Sequence, residues 1–167
     1  PPAPTNRRGY INQGQYHLWW QNPTHLLHID TPLADFSNGT GKMQVDQEEG
    51  TSMAISVADG ALKCDYAINT AWATASADCV FDAPADMRQT PFLTFRLKGN
   101  GTSTDVRLVC KNMSNGHEVW WYTENFNLSK NTWQTITVDL RTLKPFDWYG
   151  NTDDKNHCEG IVRISLS

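Results

Sequence analysis

At 167 residues the chain is long enough for one domain with a full core and too short for two ordinary ones. A formal net charge of -4 offers no electrostatic grip on nucleic acid or an anionic membrane, and no apolar run is long enough to span a bilayer. Seven tryptophans are present, and not all of them need be core. Pro1–Thr5 reads as the end of a linker, so residues 1–6 are expected to be a linker remnant and 7–167 a single β-sandwich domain, a module cut from a larger or processed protein.

Apolar residues alternate with polar ones over short runs, and clusters of Gly, Asn, Asp and Pro separate the runs at fairly even intervals. That pattern predicts an all-β chain, a sandwich or barrel of antiparallel strands. In chain order the predicted strands are Tyr16–Trp20, Leu26–Ile29, Lys42–Val45, Met53–Val57, Ala61–Ile68 and Trp72–Phe81. They continue with Phe92–Lys98, Val106–Cys110, His117–Thr123, Trp133–Leu140 and Ile161–Leu166. The segment from Arg7 to Pro32, with Trp19, Trp20 and three histidines, is the hardest to read. Leu143 to Gly150 holds three aromatics among Pro and Gly, where neither helix nor strand is expected.

The period of two assigns faces. Leu62, Cys64, Tyr66 and Ile68 share a core side. Leu93, Phe95 and Leu97 point inward, leaving Phe92, Thr94, Arg96 and Lys98 outward. Val106, Leu108 and Cys110 point in, with Arg107 and Val109 out. Ile136, Val138 and Leu140 point in, as do Val162, Ile164 and Leu166, with Arg163 out. For His117–Thr123, parity carried on to Phe126 and Leu128 puts Trp120 and Tyr122 inside and Trp121 outside, an assignment that one bulge before Phe126 would reverse.

The four cysteines are compatible with an exported protein, and their spacing does not suit zinc. Cys64 and Cys79 flank a turn near Asn69 and would either bridge a hairpin or serve as small core fillers. Sequons at Asn38, Asn100, Asn112 and Asn127 would mark surface loops in a secreted eukaryotic chain.

The chemistry on offer is binding chemistry. A pyranose ring stacks its C–H face on an indole or phenol, and its hydroxyl rim needs bidentate hydrogen-bond partners, which Arg, Asp, Asn and Gln supply. Trp72, Arg96, Arg107, Trp121, Trp148 and Tyr149 are the candidate carbohydrate-binding residues. Arg96, Arg107 and Arg163 would form a basic stripe if their strands were neighbours; the plain alternative is arginines paired to outward acids, each pair contributing little. Catalysis finds no support: Glu48 and Glu49 adjoin, Glu118 and Glu124 sit at opposite ends of one strand region, and no paired-acid spacing occurs. His17, His25, His28 and His157 follow no metal-ligand spacing.

Five segments in order carry a family resemblance: Asp35–Gly39, Val57–Leu62, Leu93–Gly101, Trp133–Leu140 and Gly160–Leu166. Over about Asp35 to Leu166 the chain resembles the galactose-binding-like jelly rolls, and within them the carbohydrate-binding modules attached to β-glucanases and the complex I intermediate-associated domain. The resemblance implies an all-β, two-sheet antiparallel β-sandwich (jelly roll) with a glycan cleft on its concave face. It also implies a structural calcium near the opening motif. Here Ser37 and Asn38 stand where the family has acids and a closing Asp pair is missing, which leaves Asp30, Asp35 and Asp46 to offer oxygens.

The expected function is therefore a non-catalytic module that holds a plant cell-wall polysaccharide, a β-glucan or hemicellulose, for a covalently linked catalytic domain. It is expected to be secreted, monomeric, free of any required cofactor, and not bound to nucleic acid or membrane. The rivals are a β-sandwich polysaccharide lyase or glycoside hydrolase, and a protein-interaction sandwich.

Overall fold

The computed structural model describes residues 33–71, 73–101, 106–114, 116–146 and 158–167. The chain divides into two units, Pro1–Leu33 and Ala34–Ser167, and every described residue except Leu33 belongs to the second. The strands expected at Tyr16–Trp20 and Leu26–Ile29 lie outside the described residues, as do Trp72, Trp148 and Tyr149.

The described chain is all-β, with antiparallel sheets and no α-helix among the described residues. Ten strands run in order: β1 (Met43–Gln47), β2 (Thr51–Ala58), β3 (Ala61–Ile68), β4 (Ala75–Ala85), β5 (Phe92–Leu97), β6 (Leu108–Ser114), β7 (His117–Tyr122), β8 (Gln134–Asp139), β9 (Lys144–Pro145) and β10 (Ile161–Leu166). Six form one sheet in the order β1-β4-β10-β6-β7-β9, while β2 pairs with β3 and β5 with β8. Nine of the ten coincide with predicted strands to within a few residues. The tenth, β9, falls in the segment expected to be neither helix nor strand; it pairs Pro145 with Trp121 and Lys144 with Tyr122. Proline is tolerated there because β9 is an edge strand, which needs no donor on its outer side.

Local chemistry sets the joints. Asp59 and Gly60 both have positive φ, 54° and 73°, and link Ala58 to its partner Ala61. A two-residue turn of that kind needs both centres left-handed, which Asp-Gly tolerates and which matches the twist of the flanking strands. Gly160 (φ 69°) opens β10; a Cβ there would meet Met113 O at 3.1 Å, and its own carbonyl accepts from Met113 N at 3.0 Å.

Register gives the six-stranded sheet two unlike faces. Met43, Cys79, Ile164, Cys110, Trp121 and Pro145 form one cross-strand row. Val45, Ala77, Leu166 and Leu108 form another on that face two residues along. This side is apolar, and Ala77, Leu108 and Cys110 are sealed from solvent, as are Leu140 and Ile161. The opposite side carries Gln44, Asp78, Ser165, Val109 and Tyr122 in one row, then Val80, Arg163, Lys111 and Trp120 in the next.

The expected core side of β3 fails toward its end, where Tyr66 and Ile68 are 39% and 48% exposed. Two further expected parities fail through an extra residue. In β10 the register shifts between Ile161 and Arg163, so Ile161 is sealed in and Val162, expected inside, is only half-buried. Beyond β7, Thr123 N donates to Leu108 O and Phe126 N to Val106 O. Three steps on one strand thus match two on the other, which is a bulge. It turns Trp121 inward, at 4% exposure, and leaves Trp120 and Tyr122 half-buried on the polar face.

The four cysteines are thiols. Cys64 pairs with Ile55 in the β2–β3 hairpin, whereas Cys79 pairs with Met43 and Ile164 in the six-stranded sheet, so the two do not face each other across a hairpin. The sequon at Asn112 is no surface loop: the residue is 1% exposed within β6, and its Nδ2 donates to Glu159 O at 3.1 Å.

Candidate functional site

The polar face of the six-stranded sheet gathers charge on rigid strands. Asp78, on β4, lies between two cations, with Arg163 Nη1 at 3.1 Å and Lys111 Nζ at 3.6 Å. Asp46, on β1, reaches the same two at 3.8 and 3.7 Å. Glu118, on β7, meets Arg163 Nε at 3.2 Å. Ser76 Oγ donates to Asp78 Oδ1 at 2.6 Å. Asp78 and Lys111 are almost wholly buried, so their charges interact with little screening, and the pairing offsets a desolvation cost that neither could bear alone. Burial works against the Arg163 charge, but the Glu118 and Asp78 carboxylates outweigh it and hold its pKa above the ordinary value. Three carboxylates (Asp46, Asp78, Glu118) meet two cations (Lys111, Arg163), so the network carries one negative charge in excess.

Aromatic rings stand beside this network. Lys111 Nζ sits 4.0 Å from the centre of the Trp120 ring. Phe146 meets Trp120 edge-on at 6.0 Å and Tyr122 at 4.4 Å. The Arg107 guanidinium lies over Tyr122 at 5.3 Å and over Phe146 at 5.8 Å. Strand β9 brings Phe146 there, since Phe146 N donates to Trp120 O at 3.0 Å. Lys144 of β9 is tied to Glu124, whose carboxyl the ammonium holds below its usual range.

Between the network and Trp120 lies a shallow depression of about 40 Å³. Asp46, Gln47, Glu48 and Thr74 stand on one side, Lys111 and Trp120 on the other, with Ser76, Val109, Ser165 and Ser167 also lining it. Ser165 Oγ is buried and has no hydrogen-bond partner among the described residues.

The structure divides the expected binding residues. Arg107 belongs to this site. Trp121 does not: the bulge that reversed its parity turns the indole inward. Arg96 lies on β5, which among the described strands pairs with β8 alone, so the described sheets do not bring Arg96, Arg107 and Arg163 into one stripe. Trp72, Trp148 and Tyr149 lie outside the described residues. The expectation missed Trp120, Tyr122, Phe146, Lys111 and Ser165. For Lys111 a signal existed, because parity from Leu108 and Cys110 already points it outward. For Phe146 the signal was the run of three aromatics in its segment.

Among the described residues, the carboxylates expected to offer oxygens to calcium are already engaged by protein groups. Both carboxylate oxygens of Asp35 accept from Ser37, at 3.0 Å each, and Asp46 is engaged with two cations. Asp30 lies outside the described residues, among which no group of three potential ligands gathers.

No protein-family model, curated protein or solved structure matches the chain.

Proposed function

We propose that the chain is a non-catalytic carbohydrate-binding module that holds a neutral polysaccharide along the polar face of the six-stranded sheet. One observation carries the reading: a shallow depression on this face lined by the half-buried Trp120 together with Asp46 and Lys111. An indole wall suits the C–H face of a pyranose, and carboxylate, ammonium and hydroxyl groups suit its rim. The negative excess of the network supports an uncharged sugar over a uronate.

The same reading takes the chain as a jelly roll in which the β2–β3 hairpin and the β5–β8 pair belong to the second sheet. It takes the ligand as a cell-wall β-glucan or hemicellulose, and the module as secreted and joined to a catalytic domain whose substrate it concentrates.

Native gels containing β-glucan, xyloglucan or mannan test the reading. One of these polymers should retard the protein, and Trp120→Ala should remove the retardation while Trp133→Ala leaves it. Unretarded migration in all three, or new reducing ends released by the purified protein, overturns it.

A further inference from the structure

The outer face of the β5–β8 pair presents a second, chemically different surface. Phe92, Thr94, Arg96 and Lys98 alternate outward along one strand, with Thr135, Thr137 and Asp139 outward on the other and Trp133 just before it. Thr94 and Thr137 hydroxyls bond across the pair at 3.0 Å. Phe92 is 60% exposed at one end and Trp133 42% at the other. Six residue-to-residue steps lead from Phe92 to Lys98, so the ribbon is about 20 Å long.

Its cations are held differently from those of the groove. Arg96 and Lys98 each lie 5.2 Å from the Trp133 ring centre, and neither makes an ion pair among the described residues. Lys130 stands at the same end, its backbone bridged to Gly99 and its side chain packed on Gly101. At the other end Arg141 is bound to Asp139. In a chain of net charge -4, Arg96 and Lys98 over an exposed indole, with Lys130 at the same end of the ribbon, are a local reversal of sign. A cation over a ring keeps its charge available, and that charge attracts anions over roughly a Debye length of about 10 Å at 0.1 M salt.

We propose that this ribbon binds an anionic polysaccharide, with carboxylates of uronate residues meeting Arg96 and Lys98 and sugar rings lying on Trp133 and Phe92. The flat exposed rings in line with a row of threonine hydroxyls favour a glycan over an acidic peptide. The surface is independent of the groove at Trp120.

Native gels containing polygalacturonate, with matched gels containing polyglutamate or a neutral glucan, test the proposal. Polygalacturonate should retard the protein, and the double variant Arg96→Gln with Lys98→Gln should weaken retention by about tenfold or more. Trp133→Ala should weaken it by about fivefold, and raising NaCl from about 0.05 to about 0.5 M should abolish it. Arg96, Lys98 and Trp133 are exposed, and unchanged circular dichroism confirms that the variants fold. Trp120→Ala should leave this retention intact, so failure here is separable from failure of the groove. No retardation in polygalacturonate, or retardation that survives the double variant, overturns the proposal. Equal retention by polyglutamate with no effect of Trp133→Ala overturns it in favour of an acidic polypeptide.

Discussion

On the polar face of the six-stranded sheet, Lys111 touches two carboxylates and Arg163 three, while on the β5–β8 ribbon Arg96 and Lys98 lie against the indole of Trp133 with no ion pair among the described residues. Both regions set a cation against a tryptophan, yet pairing gives them different work. In the first, the positive charges tie β1, β4, β6, β7 and β10 together through Asp46, Asp78 and Glu118. In the second, the charge is still available to a partner from outside.

The sharpest way to break this comparison is through stability. Asp78→Ala strands the buried Lys111 and deprives Arg163 of its shortest contact, and it should lower unfolding free energy by roughly 3–5 kcal/mol in urea titrations. Arg96→Gln on the ribbon should stay within about 0.5 kcal/mol. Equal costs at the two positions would mean that the network is not what holds the sheet.

Alkali should also find the six-stranded sheet first. Burial pushes the Cys110 thiol up to about 12, and the nearby Cys158 adds to it. A group whose folded pKa is raised contributes stability that is intact below its unfolded pKa and is lost as pH climbs through the folded one. The unfolded thiol titrates near about 8.5, so stability should fall between about pH 8.5 and 12, by on the order of 2 kcal/mol at pH 10. Cys110→Ala should flatten that slope even where it lowers the starting stability. A slope unchanged by the substitution would remove Cys110 from the account.

Binding is the next largest effect. Trp120→Ala should weaken a neutral glycan by about tenfold, the ordinary cost of an aromatic anchor, whereas Trp133→Ala should not change it. If Trp133 rather than Trp120 governs neutral glycan, the assignments of the two surfaces are exchanged.

Much of this was legible in the alternation of side chains. The strands Ala61–Ile68 and Ile161–Leu166 fall where the pattern puts them, and Leu93, Phe95 and Leu97 face inward because β5 runs without interruption. The candidate site was less legible, for two reasons with one origin. A bulge beyond Tyr122 exchanges Trp120 and Trp121 between faces, and nothing in the local sequence distinguishes one register from the other, since both residues are tryptophan. The second obscurity is β9: two residues containing a proline carry no strand signal, and only tertiary pairing with β7 defines them and delivers Phe146. Partnerships between strands were hidden too. Arg96, Arg107 and Arg163 all face outward, but pairing of β5 with β8 alone among the described strands separates the first from the others.

The smallest expected effect sharpens the comparison most, because it asks whether location or pairing decides what a cation does. Arg141 shares the ribbon with Arg96 and lies 5.2 Å from the exposed Phe92 ring, much as Arg96 lies from Trp133. Unlike Arg96 it has a carboxylate: Nε and Nη2 donate to Asp139 at 2.8 and 2.7 Å, and this bond holds the guanidinium pKa above its ordinary value. If pairing decides, Arg141→Gln should change polygalacturonate retention by less than about twofold, since an exposed, neutralised cation has little left to offer. Asp139→Asn should then increase retention, because it releases Arg141 on a ribbon that already has Arg96 and Lys98 without acids. If Arg141→Gln instead weakens retention as much as Arg96→Gln, the ribbon acts through its summed field, and the distinction between held and available charge fails on this face.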